Sequence, residues 1–163
     1  MTSRVVFSYL GVWSAIGCAI FSVFVVVVFR TGLVFVARKQ DGTLKKRIPF
    51  GGYLTMLTIP LGIIGLQLVA NYFGLARRAL EVSFASLFLL NLGHYLILFT
   101  FDTLVIDGLV LSLWRPGFLQ LPDSIGWQSM KRHILMSVPI GTLLGTGLVA
   151  ISSLISYFTV LGR

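Results

Sequence analysis

From Val5 to Phe29 the chain reads VVFSYLGVWSAIGCAIFSVFVVVVF, without a single charged side chain. A backbone placed in hydrocarbon has no water to bond to, so only a helix or a closed barrel satisfies its N–H and C=O groups there. A spanning helix needs about 20 apolar residues, whereas a barrel strand needs about 10 with alternating polarity. The run from Val23 to Phe29, VFVVVVF, does not alternate. Three further runs of comparable length follow, from Ile48 to Ala76, Val82 to Trp114 and Ile134 to Leu161, and among them only the third carries acidic groups. A soluble domain is excluded as the alternative because 56% of the residues are hydrophobic, 11% are charged and the mean hydropathy is +0.95, far from ordinary soluble composition. The expectation is an all-α polytopic membrane protein, a single four-transmembrane-helix bundle over residues 1–163 with spans at 5–29, 48–76, 82–114 and 134–161 and short loops.

Basic residues near span ends stay on the cytoplasmic side. The first loop carries Arg30, Arg38, Lys39, Lys45, Lys46 and Arg47 and the third carries Arg115, Lys131 and Arg132, against Arg4, Arg77, Arg78 and Arg163 on the other side. Loops one and three are therefore expected in the cytoplasm, with both termini outside a bacterial inner membrane. This placement also accounts for the net charge of +8 without nucleic acid as a partner. Arg38, Lys39, Lys45, Lys46 and Arg47 lie close enough to the bilayer to attract anionic headgroups, at about 1 kcal/mol per residue. Asp41-Gly42 between them reads as a tight turn. The apolar stretch TGLVFVA, Thr31 to Ala37, lies along the interface or extends the first helix by two turns. The sequence Ala15-Ile16-Gly17-Cys18 loosely resembles a lipoprotein signal, but the chain stays apolar beyond Cys18, which favours a plain buried thiol. One cysteine excludes an internal disulfide, a two-cysteine redox pair and a cysteine-rich metal site.

Helices in lipid associate by close backbone approach, which small residues permit. Ser137, Gly141, Gly145, Ser152 and Ser156 fall on one arc of the last helix as a packing seam, with Gly141 and Gly145 forming a GxxxG. Ser8, Gly11, Ala15, Cys18 and Ser22 form a second seam, and Gly51, Thr55, Thr58, Gly62 and Gly65 a third. These seams are expected to pack inside one bundle; the alternative is that one is left over for a membrane-protein partner or a second copy. Pro60 removes a backbone donor in the second span and predicts a kink.

The intramembrane polar candidates are Asn91, His94, Asp102 and Asp107, all in the third run. A carboxylate at the centre of a span costs about 2.5 to 3.5 kcal/mol, so the run needs an explanation. As one α-helix it would be about 50 Å long, against a hydrocarbon core of about 30 Å, so it must tilt, bend or emerge. If Val82 to Phe101 does the spanning, Asp102 and Asp107 sit near the cytoplasmic boundary as partners for basic residues such as Arg30. The alternative is a carboxylate that carries a proton or cation. At α-helical spacing Asn91, His94 and Asp102 share a face and Asp107 does not. His94 reads first as a hydrogen-bonded packing residue and second as a haem, pigment or metal ligand. No metal set or cofactor is expected, because spacings such as Glu-x-x-His are absent. Gln67, Asn71 and Arg78 form one stripe on the second helix, suited to interhelical hydrogen bonds.

The stretch FDTLVIDGLVLSLWRPGFLQLPDSIGW, followed by a basic pair and His133, resembles uncharacterised small four-span bacterial integral membrane proteins. The residues carrying the resemblance are Asp102, Asp107, Trp114, Pro116, Pro122 and His133, and it implies the four-span fold but no activity. An accessory, scaffold or assembly subunit of a membrane complex is the leading reading. A small oligomeric proton- or cation-linked transporter or channel using Asp102 or Asp107 is the second. A cofactor-binding subunit is the third, and an enzyme is not expected because no nucleophile and base occur at usable spacing.

Overall fold

The computed structural model of the chain describes residues 3–33, 50–78, 80–119, 121 and 127–162. Among these the secondary structure is entirely helical, with four helices long and apolar enough to cross a membrane. Helix α1 is Ser3–Arg30, α2 is Phe50–Gly74, α3 is Phe84–Phe101 and α4 is Trp127–Ile155. Short 3₁₀ turns at Ala76–Arg78 and Gly117–Leu119 follow the second and third helices. Around the bundle the order of neighbours is α1, α3, α4, α2, with α1 against α2 the lightest contact and α2 opposite α3.

Local chemistry sets the helix ends. At the end of α1, Thr31 N–H bonds Val27 C=O at 2.9 Å and Gly32 turns left-handed with φ +70, a helix stop that glycine adopts without strain. The expected two-turn extension through TGLVFVA therefore ends at Gly32, and Val34 to Ala37 lie outside the described residues. Ser83 caps α3, its Oγ accepting from Ser86 N–H at 3.3 Å. Helix α2 continues through Pro60. Helix α4 begins at Trp127, earlier than the apolar run starting at Ile134.

The third run answers its length problem by changing its winding. At Asp102 the α-helix passes into a π-helix that continues to Trp114, with hydrogen bonds reaching the fifth residue back in place of the fourth. The Ser112 hydroxyl follows the same step, donating to Asp107 C=O at 2.6 Å. Residues five apart are thereby brought closer to one face, so the α-helical separation of Asp102 from Asp107 does not hold here. Proline disfavours the right-handed helix in the residue before it, and Arg115, preceding Pro116, is left-handed at φ 46 with its N–H closing the last turn on Val110 C=O at 2.8 Å. Arg30 reaches across to donate to Phe118 C=O at 3.2 Å. It thus ties α1 to the turn after the π-helix, and it does not pair with Asp102.

The seams face in different directions. On α1 the buried residues are Tyr9, Ser14, Gly17, Val25 and Val28, whereas Ser8, Gly11 and Ala15 are exposed, so that seam does not pack inside the bundle as expected. Thr58 and Gly62 of α2 also face outward. The α4 seam does face inward, but aromatic rings fill it. A Cβ on Gly141 would stand 2.6 Å from Phe99 Cε2, and one on Gly145 would overlap the Tyr95 ring. Tyr95 Oη donates to Gly141 C=O at 2.7 Å, and the Tyr95 and Phe99 rings stack at 5.8 Å. Gly141 and Gly145 are thus a socket for two rings of α3. The side chain of Ser137, like Arg38, Lys39, Lys45, Lys46, Arg47 and Pro122, lies outside the described residues.

Candidate functional site: a buried polar knot joining four helices

Toward the chain-terminal end of the bundle, all four helices turn polar side chains inward. Tyr9 comes from α1, Gln67 and Asn71 from α2, Asn91 and His94 from α3, and Ser152 and Ser153 from α4, continued by Ser156 at the following π-turn. All are at most 3% exposed. At 1.5 Å per residue, Asn91 lies about 10 Å inside the start of α3 and Gln67 about 10 Å before the end of α2, so the two meet at one level.

The bonding pattern links helices that are not sequence neighbours. Tyr9 Oη lies 2.7 Å from Asn71 Oδ1 and 3.0 Å from Asn91 Oδ1. Asn71 Nδ2 donates to Ser156 Oγ at 2.7 Å and Asn91 Nδ2 to Ser153 Oγ at 2.9 Å. Gln67 Nε2 donates to the backbone carbonyl of Asn91 at 2.9 Å, across the bundle diagonal, while its Oε1 accepts from Ser152 Oγ. A phenol has one hydrogen and can serve only one carboxamide oxygen at a time. Turning the Asn91 amide over lets its nitrogen donate to Tyr9 and its oxygen accept from Ser153, which satisfies every member; the two orientations have the same shape.

Apolar side chains enclose the knot. Leu75 and Val82, from the connector between α2 and α3, pack with Ala70, Leu87 and Leu90 around Tyr9, and Leu75 is completely buried. The connector stays folded in because Leu80 N–H bonds Leu75 C=O at 3.3 Å and Leu75 N–H bonds Asn71 C=O at 3.0 Å. A hydrogen-bonded polar network enclosed in this way specifies one arrangement of helices, since any other arrangement leaves its members unpaired.

His94 belongs to this level but not to the bonding. It is fully buried, with the edge of Tyr9 at 6.3 Å between ring centroids, and neither ring nitrogen has a hydrogen-bond partner. The sequence reads His94 as a packing residue, and it is buried as one. Asp102 lies in the other half of the molecule, half-buried at the start of the π-helix, and makes no ion pair among the described residues. Asp107 sits one π-turn beyond it, half-buried. Among the described residues no three of His, Cys, Asp and Glu come together. Arg78 is exposed, apart from the hydrogen bonds of Gln67 and Asn71.

Two participants of the knot, and one buried hydroxyl outside it, were not legible as such in the sequence. Tyr9 reads as one more apolar residue, although a tyrosine in a charge-free run signals a hydroxyl in need of a partner. Ser153 falls off the small-residue arc, and Ser14 carries no mark at all. No family model, curated protein or solved structure matches the chain.

Proposed function

We propose that the chain is an accessory or scaffold subunit of a membrane complex, held in a bacterial inner membrane with loops one and three cytoplasmic and both termini outside. The observation that carries this reading is the outer surface of α2 before Pro60. Tyr53, Leu54, Met56, Leu57, Thr58 and Ile59 are all exposed, and six positions at 100° apiece cover every side of a helix. This half of α2 meets its surroundings all round, and those surroundings are lipid or the helices of a partner. One side of α4 is also open, with Leu135, Met136, Ile140, Leu143 and Leu144 exposed. Meanwhile the polar groups of the other half bond to one another inside an apolar wall, which suits a fixed framework.

The test is purification from native membranes in mild detergent, combined with a photo-reactive residue at Leu57. Recovery of a stable larger complex with adducts at Leu57 to a second protein supports the scaffold. A pure homo-oligomer without such adducts transfers support to the small transporter, and a coloured or metal-containing preparation to a cofactor-binding subunit. The transporter is favoured by one observation of its own, the half-buried Asp102 at the start of a π-helix, since π-turns occur often at functional sites.

A further inference from the structure

Six hydroxyls along these helices share one habit. Ser22, Thr31, Thr58, Thr142, Thr146 and Thr159 each donate to the carbonyl four residues back on their own helix, at 2.6 to 3.0 Å. That is the default for a helical hydroxyl without water. Ser14 on α1 is 4% exposed, yet its Oγ makes no such bond and has no other partner. Across the interface on α3, His94 is fully buried with both ring nitrogens unpartnered. The backbone of Trp13, the residue next to Ser14, lies within interaction range of the His94 imidazole. Three orphaned polar atoms therefore occur at one level of one helix pair.

The two helices are close above and below this level. A Cβ on Gly93 would stand 3.4 Å from Leu10 Cδ2, and one on Gly17 would stand 2.7 Å from Leu98 Cδ2. Ser14 lies between those contacts, on the floor of a groove of about 520 Å³ that Leu10, Gly11, Ala15 and Ile97 also line. Buried polar atoms are almost always satisfied, by protein or by ordered water, and a buried water typically makes about three hydrogen bonds. A neutral imidazole offers one donor and one acceptor, and a serine hydroxyl offers both.

We propose that Ser14 and His94 form a binding site for one water molecule between α1 and α3. The water bonds one imidazole nitrogen and Ser14 Oγ, while the other imidazole nitrogen faces the Trp13 backbone. Direct contact between Ser14 and His94 is replaced by this bridge, and the imidazole is held neutral in one tautomer. The site lies beyond the Tyr9 knot and does not depend on the scaffold reading.

The test uses the full chain in lipid nanodiscs with ¹⁵N-labelled histidine, which leaves only His94 and His133 in the spectrum; His94→Phe assigns the peaks. The expected result is a hydrogen-bonded His94 nitrogen that receives magnetisation from bound water, and loss of that transfer in Ser14→Ala while Ser8→Ala, exposed on the same helix, leaves it intact. Ser14→Ala should also lower the melting temperature, because it removes one of the partners of the water. No transfer in the wild-type protein overturns the proposal, whatever the variants do. Transfer that survives in Ser14→Ala, or a Ser14→Ala protein of equal or higher melting temperature, also overturns it. A hydrogen-bond signature lost on exhaustive exchange into lipid-free detergent overturns it in favour of the hydroxyl or carbonyl of a membrane-soluble molecule seated in the groove.

Discussion

The two ends of α2 are made from similar residues and behave differently. Between Gln67 and Leu75 the helix is locked, with Gln67, Ala70, Asn71 and Leu75 completely buried. Between Tyr53 and Leu61 it stands apart from the bundle, with Leu54, Leu57 and Leu61 each more than half exposed. Both stretches are apolar enough for a membrane, so hydrophobicity does not separate them. The carboxamides do. Where a side chain carries a donor and an acceptor and no water is present, it must find partners on other helices, and finding them draws four helices together. Where the side chains are leucine and isoleucine, a lipid environment would serve as well as protein, and the helix would have no reason to close onto its neighbours.

The locked half of α2 is loosened most directly at Asn91. Asn91→Ala leaves Ser153 without its partner and removes one of the two carboxamides at Tyr9, and orphaning a buried group costs about 1–3 kcal/mol. The expected loss is about 2 to 3 kcal/mol, read by reversible unfolding in mixed micelles. A loss below about 0.5 kcal/mol, near the average for hydrogen bonds inside membrane proteins, would mean that the knot is no firmer than the open half.

Next in size is Gly145→Ala, which drives a methyl into the Tyr95 ring and strains its bond to Gly141. Overpacking of this kind costs about 1 to 3 kcal/mol, and the same unfolding measurement checks it. Gly62→Ala, where a Cβ meets nothing within 4 Å, should leave stability unchanged or slightly raised. Equal effects at the two glycines would erase the distinction between the inward and outward seams.

A smaller effect is expected at Asp102. If it anchors the end of the bundle near the basic loops, Asp102→Asn lowers the melting temperature by a few degrees and leaves proton or cation flux in reconstituted vesicles as it was. A folded Asp102→Asn protein that has lost a flux present in the parent establishes the transporter instead. Smallest of all is Leu57→Ala in the open half, where a surface change stays within about 0.5 kcal/mol in purified protein. Its effect should appear only in native membranes, as reduced recovery of the complex. Sidedness is checked separately on a Cys18→Ala background, where Gly42→Cys and Gly126→Cys should be labelled only from the cytoplasmic face.

Much of the fold is legible in the sequence for a simple reason. Runs such as Val5 to Phe29 leave the backbone no choice but a helix once water is excluded, and four such runs make four helices. Asn91 with His94, and Gln67 with Asn71, were also legible as inward-facing groups, because polar side chains in apolar segments point toward protein. The arc on which a seam faces was not. In a soluble helix the polar side marks the outside, but Ser8, Gly11 and Ala15 on one face of α1 and Tyr9, Ser14 and Gly17 on the other are equally compatible with lipid or core. Nor did spacing at 3.6 residues per turn anticipate the π-helix from Asp102, since its winding changes which residues share a face.

What this sequence determined by itself was the number of helices and their composition, since backbone hydrogen bonding is local. Which polar groups meet, that Tyr95 and Phe99 fill the glycine seam, that the connector closes over Tyr9 and that His94 and Ser14 are left facing each other's helix were decided only by tertiary structure. Those features depend on the order of helices round the bundle, and where lipid and core are both apolar no pattern along the chain records that order.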